Sequence, residues 1–228
     1  MLTIAEITVL MSFSTMMLSL ILSTYLITLW RSQENRLITD LPLMLGVIFL
    51  VTVFSQLMMV LDLLGIVELT TTLFRLRAGL VLGMALPMLG VMLAIWAPRK
   101  VKHHRKAGFV FSLYWIAAVL LGRTSDEIML LVIPPLLILM LAWLVTFTIT
   151  WITGRLKEIR SDLMVLATIL SIASQTGRLA FTSLGIGYLS DILTAMGLVI
   201  YTLALTNPWF NDALDVSPIE SPAVELVT

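Results

Sequence analysis

The sequence predicts an all-α, polytopic integral membrane protein whose helices form a seven-helix transmembrane bundle. Of its 228 residues, 59% are apolar and only 12% are charged, and the mean hydropathy is +1.04. Soluble domains are about 45–50% apolar and about 25% charged. A water-soluble globule of this length could not bury so many apolar side chains, so we expect lipid to be the main solvent. The same composition excludes disordered and fibrous proteins.

Seven apolar runs approach or exceed the about 20 residues that a membrane-spanning helix needs. The runs are continuous rather than alternating, which favours helices over the strands of an outer-membrane barrel. The predicted spans, which form one domain over residues 1–206, are Ile4–Trp30, Leu41–Leu64, Leu73–Ala97, Ala107–Leu121, Ile128–Ile152, Leu163–Thr182 and Gly185–Thr206. Residues 207–228 hold three prolines and four acidic residues. We expect them to form a short disordered cytoplasmic tail.

The distribution of basic residues predicts the orientation of the chain. Basic residues concentrate in the cytoplasmic loops of membrane proteins. The loops after the first, third and fifth spans hold ten of the fourteen, whereas the other loops and their adjoining helix ends hold four. Seven spans then place the N-terminus outside and the C-terminus inside. The first span lacks a basic leader segment and is too long for a cleavable signal, so we expect it to stay as an anchor in the plasma membrane.

The largest basic group lies between the third and fourth spans, in a predicted loop from Pro98 to Lys106. Its cations could bind acidic lipid head groups or an acidic partner protein. The alternative is that they only orient the chain in the membrane. These residues are Arg99, Lys100, Lys102, Arg105 and Lys106.

Polar residues on the sixth span point to a functional site, because a charge at a helix centre costs about 2.5–3.5 kcal/mol on insertion scales. A run of them is spaced three, four, three and four residues apart, which places them on one helix face that we expect to face the bundle interior. The face consists of Thr168, Ser171, Gln175, Arg178 and Thr182. At about 1.5 Å per residue from Asp162, Gln175 and Arg178 lie in the outer half of the membrane.

Polar groups of other spans reach a similar depth near the outer side. We predict an outward-facing pocket in which Arg178 pairs with Asp62 or Asp191. A guanidinium fork matches carboxylate and phosphate, so the pocket would hold a small anionic or zwitterionic ligand. Alternatively, the groups extend to the interface and pair there. The predicted ligand-binding residues are Arg178, Gln175, Ser171, Asp62, Gln56, Asp191 and Arg75, with Arg77 and Glu68 close by.

Two stripes of small residues favour close packing between helices rather than ligand binding. The first, in span one, consists of Ser12, Thr15, Ser19 and Ser23. The second, in span three, consists of Gly79, Gly83, Pro87 and Gly90.

The sequence predicts neither an enzyme nor a bound cofactor or metal ion. It contains no cysteine, and its two histidines are adjacent among the cations of the basic loop, where a metal ion would be repelled. The enzyme motifs that identify metalloproteases, serine hydrolases and phosphate-binding loops are missing. All four lysines lie in predicted cytoplasmic loops, which excludes a retinal pigment. Basic and acidic residues number fourteen each, so no net field recruits nucleic acid.

Two functional classes agree with these observations. The first is a non-enzymatic binding or sensing module that signals through a separate partner chain, because the predicted tail is too short to form an output domain. The second is a transporter-like or scaffold subunit of a larger membrane complex, because the small-residue faces suit contact with further helices.

Overall fold

A computed structural model describes residues 3–33, 40–68, 70–97, 99–154 and 159–206, and every regular element within these ranges is an α-helix. The helices are α1 (Ile4–Ser32), α2 (Leu41–Leu63), α3 (Thr71–Trp96), α4 (Val101–Leu121), α5 (Ser125–Thr153), α6 (Ser161–Ser183) and α7 (Tyr188–Thr206). Each predicted span coincides with one of them. The predicted tail over 207–228 lies outside the described residues.

Local sequence signals set the helix ends. Thr3 caps α1 by accepting a hydrogen bond from the Glu6 amide, and the Glu6 carboxylate accepts one from the Thr3 amide in return. Thr70 and Thr124 cap α3 and α5 in the same way through their hydroxyls. Such caps satisfy backbone N–H groups that have no partner within the helix. Gly154 ends α5 at a φ of +61°, a conformation that glycine adopts without strain.

Five of the helices, α1, α2, α3, α5 and α7, are long and apolar enough to cross a membrane. The other two described helices carry more polar residues, because α4 begins with a basic segment and α6 contains Arg178 among several hydroxyl side chains. The chain is therefore a multi-pass helical membrane protein by length and composition. The count of seven crossings and their orientation remain predictions.

The expected basic loop is shorter than predicted. Helix α4 begins at Val101 rather than Ala107, so Lys102, Arg105 and Lys106 lie on its first two turns. Lysine and arginine are good helix formers, and hydropathy detects only the apolar part of such a helix. All five basic side chains from Arg99 to Lys106 are exposed.

The bundle has an apolar outer surface, and polar side chains are buried inside it beside an apolar core, unlike in a soluble protein. Large apolar side chains such as Leu130 (74% exposed) and Ile152 (77% exposed) cover the outside. Ser12, Ser19 and Asp191 are at most 2% exposed. Water would disfavour this arrangement, whereas acyl chains solvate the apolar surface and polar groups find partners only inside.

Six helices form a closed ring in the order α1, α2, α3, α5, α6 and α7, with α7 returning to α1 and also touching α2. Within the described residues, α4 packs outside this ring against α3 and α5. The fully buried Trp115 attaches it, because its indole N–H donates to the Ala78 carbonyl of α3 at 2.8 Å. Helices α6 and α7 approach closely at Gly197, where a Cβ atom would lie 3.2 Å from Ser171 Oγ.

Successive helices run in opposite directions. Helices α1, α3, α5 and α7 begin at one end of the bundle, which we call the Asp191 end. There Arg75, early in α3, donates to the Gly122 carbonyl just after α4 at 2.9 Å. At the opposite end, the Arg160 amide before α6 donates to the Ala204 carbonyl near the end of α7 at 3.0 Å. The five exposed basic residues from Arg99 to Lys106 lie at this opposite end, which we call the basic end.

Candidate functional site

The buried carboxylate of Asp191 is the centre of the candidate site. It lies in the first turn of α7 and is 2% exposed. One of its oxygens accepts a hydrogen bond from Ser12 Oγ of α1 at 2.5 Å. The other accepts from Gln56 Nε2 of α2 at 3.2 Å and from a guanidinium nitrogen of Arg178 of α6 at 2.9 Å. Four helices therefore meet at one carboxylate.

The backbone around Asp191 is held as well. Thr15, one turn after Ser12 on α1, donates to the Asp191 carbonyl at 3.2 Å. The preceding residue, Ser190, accepts a hydrogen bond at its hydroxyl from Arg178 Nε at 3.3 Å. Ser174 of α6 donates to the Ser190 carbonyl at 2.8 Å. These contacts hold Asp191 and Arg178 in place, because they join α7 to α1 and to α6 beside the ion pair itself.

A second arginine, Arg77 of α3, reaches the same region. Its Nε donates to Ser55 Oγ of α2 at 3.0 Å, and one terminal nitrogen approaches Met59 Sδ at 3.4 Å. The terminal nitrogen of Arg178 that does not contact Asp191 approaches the same sulfur at 3.2 Å. Two guanidinium groups therefore converge on a single thioether of α2.

One polar atom of the site has no hydrogen-bond partner in the described structure. This atom is Gln56 Oε1, which is buried while the Nε2 of the same amide donates to Asp191. More than nine in ten buried polar groups in native proteins have a partner. Gln56 Oε1 is therefore a buried acceptor for which the described part of the protein supplies no donor.

The structure brings together three of the predicted ligand-binding residues, Arg178, Asp191 and Gln56. Of the two predicted partners of Arg178, Asp191 is the one that forms the ion pair. Asp191 does not extend to the interface, contrary to the alternative interpretation, because it is buried among four helices. Ser171 lies two turns before Arg178 on α6. It is partly buried and donates to the Ala167 carbonyl of its own helix at 2.9 Å.

Three predicted residues lie apart from this centre. Gln175 is exposed, so the expectation that it faces the bundle interior is wrong. The interior face of α6 instead passes through Ser174, the residue before it, which is 1% exposed. Asp62 is exposed on the last turn of α2. Arg75 is directed towards Gly122 and joins α3 to the end of α4.

Several site residues were missed by the sequence analysis or assigned another role. Ser12 and Thr15 were interpreted as packing residues, and their spacing of three was the available signal for a polar face. Arg77 was noted only as a neighbour. Met59 and Ser190 carried no signal, because a methionine and a serine in an apolar helix suit many environments.

The basic end carries the second group of predicted site residues. Its candidate partner- or lipid-binding cations, Arg99, Lys100, Lys102, Arg105 and Lys106, are all exposed. The neighbouring His104 forms a hydrogen bond between Nε2 and the Ala97 carbonyl at 2.8 Å. Among the residues that the structure describes, no group of three or more histidine, aspartate or glutamate side chains could hold a metal ion.

No family model, curated protein or solved structure matches this chain. The geometry of the Asp191 cluster is therefore the basis for the interpretation of function. We define this cluster as Ser12, Gln56, Met59, Arg77, Arg178 and Asp191.

The hydrogen bond from Ser12 to the Asp191 carboxylate predicts a measurable stability change. We expect Ser12→Ala to lower the free energy of unfolding by about 1.5–3 kcal/mol, the usual range for a hydrogen bond to a charged group. Ser14→Ala is the matched control, because Ser14 is exposed on the same helix and bonds only to the Leu10 carbonyl. Thermal unfolding in detergent measures both variants. Equal effects of the two substitutions would contradict the structural role of Ser12.

Proposed function

We propose that this chain is a non-enzymatic binding or sensing module with seven spans in the plasma membrane. It binds a small anionic or zwitterionic ligand from the outer side and passes a conformational change to a separate partner chain. The observation that carries this proposal is the buried ion pair between Arg178 and Asp191, which is joined to α1 through Ser12 and to α2 through Gln56.

The energetics of the cluster favour a role beyond stability. A buried ion pair contributes little net stability, because desolvation of the two charges offsets their attraction. Apolar side chains of similar volume would stabilise the contact between the four helices at least as much. A ligand that competes for Arg178 alters the contacts of α1, α2, α6 and α7 at once. A sensing module needs a ligand that binds one arrangement of these helices more tightly than another.

The proposed orientation places the Asp191 end outside and the basic end in the cytoplasm. It rests on the exposed cations of the basic end, since positive residues are retained on the cytoplasmic side. These residues would contact a cytoplasmic partner or anionic head groups, at the end opposite to the ligand. A change in helix positions at Asp191 would reach them through α6, which extends to both ends and packs on α5, and through α5, which contacts α4.

A transporter-like or scaffold subunit is the second candidate function. It is supported by α3, where Cβ atoms added at Gly79 and Gly90 would meet nothing within 4 Å. Such open positions leave room for a helix of another chain. Purification in a mild detergent separates the two functions, because a scaffold subunit would retain other membrane subunits in fixed stoichiometry.

The orientation predicts the accessibility of single cysteines, which is simple to test because the chain has none. A membrane-impermeant maleimide should label Thr3→Cys on intact cells. It should label Lys102→Cys only after the membrane is permeabilised. The cysteine-free parent protein is the control for background labelling. Labelling of both positions from the same side would exclude an odd number of spans before α4.

The proposed ligand site predicts that a small oxyanion stabilises the protein. Thermal unfolding should be measured in detergent with panels of carboxylates, phosphates, zwitterions and cations. A ligand at one hundred times its Kd should add about 2.7 kcal/mol to the free energy of unfolding. Arg178→Lys keeps the charge but loses the planar fork, so it should abolish most of this effect.

Arg123→Gln is the control, because Arg123 is exposed at the same end of the bundle and lies after α4, outside the Asp191 cluster. It should respond to the ligands as the parent protein does. If no compound stabilises the parent protein, or if the Arg178→Lys variant responds unchanged, the proposed binding function is wrong.

A further inference from the structure

The contacts of Met59 are chemically mismatched. Its thioether sulfur lies 3.2 Å from a terminal nitrogen of Arg178 and 3.4 Å from a terminal nitrogen of Arg77. A thioether is a weak hydrogen-bond acceptor. Guanidinium groups form their strongest bonds with carboxylate and phosphate oxygens, where both partners carry charge. Two of the strongest donors in the protein therefore share one of the weakest acceptors.

The charges of the cluster are also unbalanced. Arg178 is paired with Asp191, whereas the hydrogen bonds of Arg77 go to the neutral Ser55 hydroxyl and to Met59. Asp62 attracts Arg77 electrostatically, but its carboxylate is exposed. Among Arg77, Arg178 and Asp191, one positive charge therefore has only the exposed Asp62 as its counterpart. A single anion between the two guanidinium groups would neutralise it.

Gln56 supplies an independent indication of a ligand at this place. It lies three residues before Met59, so the two side chains share one face of α2. Its amide is 5% exposed, and Oε1 has no hydrogen-bond partner while Nε2 is used by Asp191. This atom can only accept a hydrogen bond. The face therefore offers an unpaired acceptor one turn away from the thioether that both guanidinium groups contact.

We propose that an oxyanion of a small ligand takes the place of the Met59 sulfur between Arg77 and Arg178, and that an N–H or O–H group of the same ligand donates to Gln56 Oε1. This inference rests on the proposed function and narrows its ligand to small carboxylates or phosphates that carry a donor. Met59 has three rotatable side-chain bonds, so its thioether can leave without movement of the backbone. In the structure the sulfur lies between the two guanidinium groups.

A carboxylate attached to the protein tests this arrangement without a known ligand. Met59→Glu places an oxyanion between the two arginines, and Met59→Gln supplies a side chain of the same shape without charge. We expect Met59→Glu to unfold at a higher temperature than Met59→Gln by several degrees. The difference should reverse when Arg77→Gln is added, because the new carboxylate then shares with Asp191 the single cation Arg178.

A buried carboxylate without cationic partners is strongly unfavourable, so Met59→Glu would unfold well below Met59→Gln if the two arginines did not pair with it. If Met59→Glu unfolds at the same temperature as Met59→Gln or below it, the proposed oxyanion position is wrong. Because both variants lack Met59, the comparison between them cancels the stability lost when the methionine is removed.

A second measurement separates this inference from the proposed function. The probes are acetate, inorganic phosphate, glycine and ammonium, each compared with sodium chloride at equal ionic strength. Micelles that contain phosphatidylglycerol test whether the oxyanion belongs to a lipid head group instead. Acetate, phosphate or glycine should raise the unfolding temperature of the parent protein. The same probes should have no effect on Met59→Glu, whose own carboxylate occupies the position.

The outcomes of this measurement are distinguishable. Stabilisation that persists in both Met59→Glu and Arg77→Gln would overturn the oxyanion position and leave the proposed function in place. Stabilisation by ammonium alone would likewise overturn it. Stabilisation by phosphatidylglycerol alone would assign the position to a lipid. The absence of any effect on the parent protein would overturn both the oxyanion position and the proposed function.

Discussion

The buried charge of Asp191 is the constraint on which the arrangement of the bundle depends. A carboxylate that is 2% exposed must take its hydrogen bonds from the surrounding protein, because a buried charge without partners is strongly unfavourable. Ser12, Gln56 and Arg178 supply these donors from α1, α2 and α6. Their positions fix the rotation of three helices about their own axes. Apolar packing alone would allow each helix to turn, because one leucine-rich face resembles another.

A comparison with the second ion pair shows why burial matters. Arg160 and Asp162 lie 2.6 Å apart at the basic end, but their side chains are 42% and 31% exposed. The hydrogen bonds from Arg160 hold the pKa of Asp162 below its ordinary value. Water still solvates both groups, so an exposed pair of this kind contributes at most about 1 kcal/mol. Of the two ion pairs in the described residues, the one at Asp191 joins different helices, and the loss of its arginine would leave a buried charge.

The sequence was sufficient to place the helices and to bring Arg178 and Asp191 to the same depth, because hydropathy and rise per residue determine both. It was insufficient for the rotation of side chains about each helix. Arg75 and Arg77 lie two residues apart, about 200° around an α-helix. They consequently contact α4 and α2 respectively, although the sequence suggested a single group. Gln175 directly follows the buried Ser174, and a step of one residue around the helix turns its side chain from the interior to the surface. Met59 could not be predicted, because only the convergence of two helices on α2 gives it a polar environment.

The energetic coupling between Arg178 and Asp191 tests the central claim most directly. A double-mutant cycle with Arg178→Gln and Asp191→Asn, measured by unfolding in detergent, should show a loss of about 3–5 kcal/mol for each single variant. The double variant should lose much less than the sum, because neither charge is then left unpaired. Arg160→Gln and Asp162→Asn form the matched cycle for an exposed pair. Single variants at Arg178 and Asp191 that lose no more than this exposed pair, with additive effects, would contradict a bundle organised by the Asp191 carboxylate.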